Sequence, residues 1–312
     1  MNKKQSVSRG FVTMATGKRM YYILARNLLI SYRLHNQRSL PFAIICDRKN
    51  KHTEDFDDVV IMDSPMFSFN DKLRLADLTP YDETIFIDAD CRILKSLDGL
   101  WDIVDKSPDF GIYGAVYDAE SEKGQIELKR SGSLREKMRF FCTCQGGMRF
   151  VRKSPKLTGF TDLCLYIYDH YDEFQMPGHP KPSDDMIFPL ACSVFNFPPS
   201  EDWSNIFCWF PESEIIDLDV VKGKTKYIWK VINREQGPDC YFIHFSSIVT
   251  KEWLYKRESY RLLCHVKGKR PSGVILGIMF AYCRMVRLYH IALYRTKMVV
   301  LKCLSILGFK KY

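Results

Sequence analysis

The chain has 312 residues, enough for one domain of about 250 residues and an appendage, and its 46% apolar and 14% aromatic content excludes a disordered protein. The net charge is +9, yet the last acidic residue is Glu258 and eleven Lys and Arg follow it, leaving 35 basic against 37 acidic side chains in residues 1–258. The basic excess belongs to the last 54 residues, which excludes a generally nucleic-acid-binding surface and points to a local contact with a membrane or another polyanion.

Eleven cysteines have a single tight spacing, Cys142-x-Cys144, and no zinc-finger partner set accompanies it. They read as reduced thiols of a cytoplasmic protein, most of them core residues. Met1 to Arg9 is basic and polar with no apolar stretch behind it, so no signal peptide is expected. No apolar run reaches the length of a membrane span; the longest, Gly273 to Cys283, stops at Arg284.

Gly10 to Ala15 reads as a first strand, followed by a helix from about Lys18 to Leu34 with Leu24, Leu28 and Tyr32 on one face. Pro41 to Cys46 is a second strand, ending at Asp47, and Val59 to Met62 a third. A helix over Asp71–Leu78 leads into Thr84 to Ile87, an apolar run with the look of a strand buried on both faces. Strand–helix alternation over the first hundred residues predicts an α/β fold with a mostly parallel sheet and helices on both faces. Thr13, Thr16 and Asp47 would then share a sheet edge where a nucleotide base and ribose could lie; capping and turn roles explain them equally well.

The Thr84–Ile87 strand ends in Asp88-Ala89-Asp90. Ligands of open α/β sheets bind just past the carboxyl ends of strands. If the strand runs on to Asp90, both carboxylates point to one side and suit a hard ion, Mg²⁺ or Mn²⁺. A solvated strand end is the plain alternative. Further on, Asp98 to Val104 reads as a short helix and Gly111 to Val116 as a strand. The charged, aperiodic stretch Tyr117 to Arg139 reads as an insertion or a loop that orders over ligand. Cys144 to Val151 carries the pair Gly146-Gly147, consistent with a tight turn or a close backbone approach. Leu157 to Tyr171 is an amphipathic helix, and the bend Pro177 to Pro182 delivers Ser183 as an N-cap, with Asp184 and Asp185 in the first helical turn. A late strand ends at His244, with Lys251 and Trp253 after it.

Lys72-Leu73-Arg74-Leu75, Leu78, Tyr81 and Ile85 to Asp90 together resemble the D-x-D region of GT-A glycosyltransferases, nearest to family 8, over about three quarters of the chain from Phe11 to Trp253. Cys144 to Val151 resembles the family's glycine-containing block beside the sugar, and His244 to Trp253 its H-x-x-G-x-x-K-P-W block. In the latter Ser247 replaces glycine, Lys251 comes one residue late and Glu252 replaces proline. The resemblance implies a GT-A, Rossmann-like fold that transfers a sugar from a nucleotide sugar, expected to be UDP-linked, with retention of configuration. Mn²⁺ or Mg²⁺ would be held by Asp88, Asp90 and His244. Lys72 or Arg74, Gly146, Gly147 and Lys251 would contact the donor, and Asp184 or Asp185 would face sugar or acceptor; an Asp185 acting as general base would instead give inversion. A sugar nucleotidyltransferase would need a glycine-rich phosphate loop, of which Thr13 to Arg19 is a poor version with one glycine. A non-catalytic protein on the same fold would not need the acids.

The expected division is a catalytic domain over 1–268 and a basic amphipathic helical tail over 269–312 that docks on an anionic membrane surface, so the protein is expected to be cytoplasmic and peripheral to the membrane. The partners implied are a nucleotide-sugar donor and a saccharide or lipid-linked acceptor of surface-polysaccharide assembly, without nucleic acid. The oligomeric state stays open.

Overall fold

The computed structural model describes residues 7–36, 40–117, 132–174, 181–230, 234–236, 240–246 and 252–306. Strand β1 (Arg9–Ala15) leads to helix α1 (Arg19–His35), then β2 (Phe42–Cys46) and β3 (Asp58–Ile61). The segment predicted as one helix over 71–78 is a 3-10 turn, Phe69–Arg74, running into a single α-turn, α2 (Leu75–Leu78). The reason is Asp71: its buried carboxylate accepts from the Met66 backbone N–H and from Thr16 Oγ1, which pins the start of the turn to the end of β1. Then follow β4 (Glu83–Ile87), β5 (Cys91–Ile93), α3 (Gly99–Val104), β6 (Phe110–Tyr117) and β7 (Phe141–Arg152).

The six-stranded sheet has the order β3-β2-β1-β4-β7-β6. The pairs β3–β2, β2–β1 and β1–β4 are parallel, and β7 runs antiparallel between β4 and β6. The mostly parallel α/β sheet expected from the alternation is therefore present. Its centre explains its sequence: β2 and β4 are buried at every position, as strands covered on both faces must be.

Helices α4 (Pro155–Asp169) and α5 (Asp184–Phe195) pack with β7. Phe110, Phe160, Phe188 and Phe197 interlock there, with ring centroids 4.4–6.3 Å apart. Ser154 caps α4 by accepting from the Leu157 N–H. Leu134, inside the stretch expected to be a loop or insertion, is buried in the same core; residues 118–131 of that stretch lie outside the described residues.

Two smaller sheets complete this part. One joins β8 (Phe207–Trp209) and β5 to β12 (Phe242–His244) in the order β5-β12-β8. The other is an antiparallel meander of β9 (Ser213–Asp219), β10 (Lys224–Trp229) and β11 (Arg234–Gln236).

The chain divides into two compact units, Met1–His244 and Phe245–Tyr312; the boundary expected at 268/269 falls inside the second. That unit contains α6 (Trp253–Val266) and α7 (Gly273–Ile306), a continuous helix of 34 residues. Trp253 packs edge-on against Phe280, and Lys256 lies over the Tyr282 ring. Gly273–Val300 is long and apolar enough to cross a membrane by length and composition, and within that unit it is almost uncovered. The expectation that no segment has the makings of a span is corrected here. Arg284 ends the first apolar run, but the apolar residues resume after Arg287 with no break in the helix.

Candidate active site

The site begins where β4 stops. The strand ends at Ile87, and Asp88-Ala89-Asp90 forms a turn closed by the Cys91 N–H donating to the Asp88 carbonyl at 3.0 Å. The expected continuation of the strand to Asp90 is thus replaced by a turn, from which the chain enters β5. That short strand pairs antiparallel with β12, in the register Cys91 opposite His244. Strand alternation did not reveal β5, yet this pairing is what sets His244 beside the aspartates. Nε2 of His244 lies 3.3 Å from Asp90 Oδ1 and 3.7 Å from Asp88 Oδ2.

Burial opposes a proton on His244, but the Asp90 and Asp88 carboxylates outweigh it and hold its pKa above the ordinary value. Asp90 shows the converse: burial pushes it up, and His244 brings it below the usual carboxylate range. A divalent ion beside these carboxylates would supply positive charge at the same place. Among the described residues, the ligand atoms of Asp90, Cys91 and His244 lie within 4.8 Å of one another. Burial and the two aspartates push the Cys91 thiol far up, so it is a poor thiolate donor. Carboxylate and imidazole donors with a neutral thiol fit Mg²⁺ or Mn²⁺ better than a soft ion. Asp90 and His244, with Asp88 at the edge, are the residues that would hold it.

Gly146 and Gly147 sit inside β7, where the pairing with β6 jumps from Ile112–Arg149 to Tyr113–Gln145. They form a bulge rather than a connecting turn. A Cβ on Gly146 would lie 2.4 Å from Arg149 Nη2 and 3.7 Å from Asp185 Oδ1, and one on Gly147 would lie 2.6 Å from His244 Nδ1. The missing side chains make room for a guanidinium and an imidazole. The Gly147 carbonyl also accepts the Asp88 N–H at 3.1 Å.

Arg149 is the site residue that sequence reasoning missed. It is fully buried on β7 and donates from Nη2 to Asp184 Oδ2 at 2.8 Å, with its guanidinium over Phe188 and Phe86. An arginine in the apolar alternation of a central strand was the available signal. Asp184 sits in the first turn of α5 as expected and is a buried ion-pair partner there. Ser183 occupies the N-cap position of α5 without a side-chain capping bond. Asp185 is exposed on the same first turn. Although the residue is exposed as a whole, its carboxyl tip lies against Gly146 and loses part of its water; that and the charge of Asp184 raise its pKa.

Lys72 lies 2.7 Å from Asp88 Oδ1 and 3.7 Å from Asp184 Oδ2. Burial disfavours its charge, but Asp88 and Asp184 raise its pKa above the ordinary value. Arg74 turns away and donates to the Asp63 carbonyl, so of the two bases it is Lys72 that meets the acids. Thr13 does not line the sheet edge: it is fully buried in β1, with Oγ1 unpartnered. Thr16 stands at the strand end, bound to Asp71. Asp47 accepts from the Gly17 N–H and Tyr22 Oη, closing the turn between β1 and α1, where Gly17 has φ +72°. Lys251 lies outside the described residues.

No protein-family model and no curated protein matches the chain. Solved structures similar to it include the galactosyltransferase LgtC with donor and acceptor sugar analogues, at 11% identity and TM-score 0.44, over 65% of this chain and 76% of that one. Mouse xyloside xylosyltransferase 1 is similar at 11% identity and TM-score 0.47, over 78% and 99%. The bifunctional glycosyltransferase WbbM is similar at 12% identity and TM-score 0.47, over 79% and 47%.

Proposed function

We propose that this chain is a metal-dependent glycosyltransferase of the GT-A type that moves a sugar from a nucleotide sugar, UDP-linked, to a saccharide or lipid-linked acceptor. The observation that carries the reading is the convergence of Asp88 and Asp90, at the end of β4, with His244, more than 150 residues later, within 3.7 Å. A solvated strand end has no reason to recruit a buried histidine. Mn²⁺ or Mg²⁺ held there would act as a Lewis acid on the diphosphate leaving group. Asp185, exposed beside Gly146, is the carboxylate placed to face sugar or acceptor, while Asp184 holds the scaffold with Arg149. Retention is the stereochemistry that the sequence resemblance supports. We take residues 1–268 as the catalytic portion and Lys251 as a diphosphate contact.

The second unit supports a peripheral membrane location on the cytoplasmic face. Beyond Glu258 there is no acidic residue. At about 100° per residue, Arg284, Arg287 and Arg295 fall within roughly 80° of one another on α7. The opposite face carries Ile275, Ile278, Tyr282, Tyr289, Leu293 and Val300, all at least 43% exposed within the structure. Lys297 falls instead near the apolar face, and apolar Phe280, Ile291 and Met298 share the arginine side; it is the two arginines near the middle of the helix that suit a helix lying in an anionic lipid interface better than one crossing it.

The deciding experiment is a panel of nucleotide sugars assayed for Mn²⁺-dependent hydrolysis by the full chain. Turnover of one UDP-sugar, abolished by EDTA and restored by Mn²⁺, is expected. Indifference to every donor in the panel overturns the reading.

A further inference from the structure

The acidic cluster contains one cation whose position bears on how an ion could enter. Lys72 holds Asp88 by Oδ1 at 2.7 Å. Its ammonium also lies 5.6 Å from the Phe69 ring centroid and 5.9 Å from that of Phe86. Asp88 is absent from the group of ligand atoms that Asp90, Cys91 and His244 bring together. Its Oδ2 is 3.7 Å from His244 Nε2, against 3.3 Å for Asp90. One carboxylate is therefore shared between Lys72 and His244 and lies closest to the lysine.

The other partner of Lys72 is fixed. Asp184 is buried and bound at 2.8 Å by Arg149, which cannot move without uncovering a guanidinium packed between aromatic rings. Lysine, by contrast, has a flexible stem and a point charge that can slide between carboxylates. Asp88 and Asp184 both lie within 4 Å of the ammonium, so a short swing exchanges one for the other.

We propose that Lys72 is a resident cation that holds one oxygen of Asp88, Oδ1, until a divalent ion beside Asp90 and His244 takes the carboxylate over, leaving Lys72 on Asp184. Lys72 thus acts as a positioning residue, through Asp88, and competes with the metal for it. This rests on the ion site proposed above.

The test is titration of Mn²⁺ alone into the full-length protein, followed by calorimetry and by the paramagnetic resonance of free Mn²⁺. Lys72→Met is expected to bind Mn²⁺ about 10-fold more tightly than the parent, the scale on which outer partners of metal ligands act. If Lys72→Met does not fold, Lys72→Gln, which removes the charge but keeps a donor, should change affinity in the same direction. The gain should vanish when Asp88→Asn is also present, because no carboxylate is then left to release. An equal or weaker affinity in the lysine variant overturns the proposal, as does a gain that persists with Asp88→Asn and so reduces Lys72 to a general field effect. If neither the parent nor the lysine variants bind Mn²⁺, the ion site itself is refuted and this inference with it; binding by the parent with no gain refutes the inference alone.

Discussion

A β-carbon placed on Gly147 would lie 2.6 Å from Nδ1 of His244, so the empty side of one residue is the seat of the other's ring. Gly147→Ala must move the imidazole away from Asp90 or push β12 away from β5. The variant should fold with a lowered melting temperature and lose about 10-fold or more in Mn²⁺ affinity. Calorimetry on parent and variant checks this; unchanged affinity would show that the ring has no part in holding the ion.

The two strand-end aspartates differ in their ties, and their amides should differ too. Asp90 lies with His244 inside the compact ligand group, while Asp88 shares itself with Lys72. Asp90→Asn should therefore weaken Mn²⁺ binding more than Asp88→Asn, and each should abolish Mn²⁺-dependent turnover of a UDP-sugar. Undiminished turnover in the double variant would rule out the metal-dependent reading.

Asp184 and Asp185 stand side by side in sequence and do opposite work. Asp184→Asn leaves the buried Arg149 guanidinium without its carboxylate, which costs about 3–5 kcal/mol; Arg149→Leu costs less, because Lys72 still lies 3.7 Å from Asp184. At about 2–4 °C per kcal/mol, a drop of roughly 10 °C in melting temperature is expected for Asp184→Asn. Asp185→Asn removes an exposed carboxylate and should leave the melting temperature nearly unchanged while lowering turnover. Thermal scans beside the turnover assay separate the two; equal, mild effects would leave both with a structural role only.

Asp47 supplies a pH signature of the β1–α1 turn. Burial tends to raise its pKa, but hydrogen bonds from Tyr22 Oη and the Gly17 N–H outweigh this and hold it below the ordinary value. A carboxylate with a lowered folded pKa contributes stability that is complete above the unfolded value, about 3.9, and is lost as pH falls through the folded one. Tyr22→Phe should move the Asp47 titration upward and start acid unfolding at higher pH. Carboxyl NMR titration of the two proteins reads this directly.

For α7, the full chain should bind anionic liposomes at low salt, bind neutral ones weakly and be released by high salt. Replacing Arg284, Arg287 and Arg295 with Gln should lower binding by roughly 1 kcal/mol per charge near the surface. Retention on vesicles through a high-salt wash would favour a spanning helix instead, and indifference to anionic vesicles would rule out the docking surface.

Much of this was legible in the amino-acid order alone. The β-branched run before Asp88-Ala89-Asp90 marked the strand, because a strand covered on both faces has no polar alternation to hide it. The abrupt change to carboxylates marked the sheet edge, whereas the loss of acids after Glu258 begins inside the second unit and does not mark where it starts. Tertiary structure decided which of the candidate residues meet. Beta5 is three residues long and carries no periodicity, yet its register with β12 places His244. The purpose of Gly146 and Gly147 lies in what approaches them from elsewhere in the chain, which local spacing cannot show. Arg149 looks misplaced in its own strand and becomes intelligible only against Asp184, because a buried charge is explained by its partner across space and not by its neighbours in sequence.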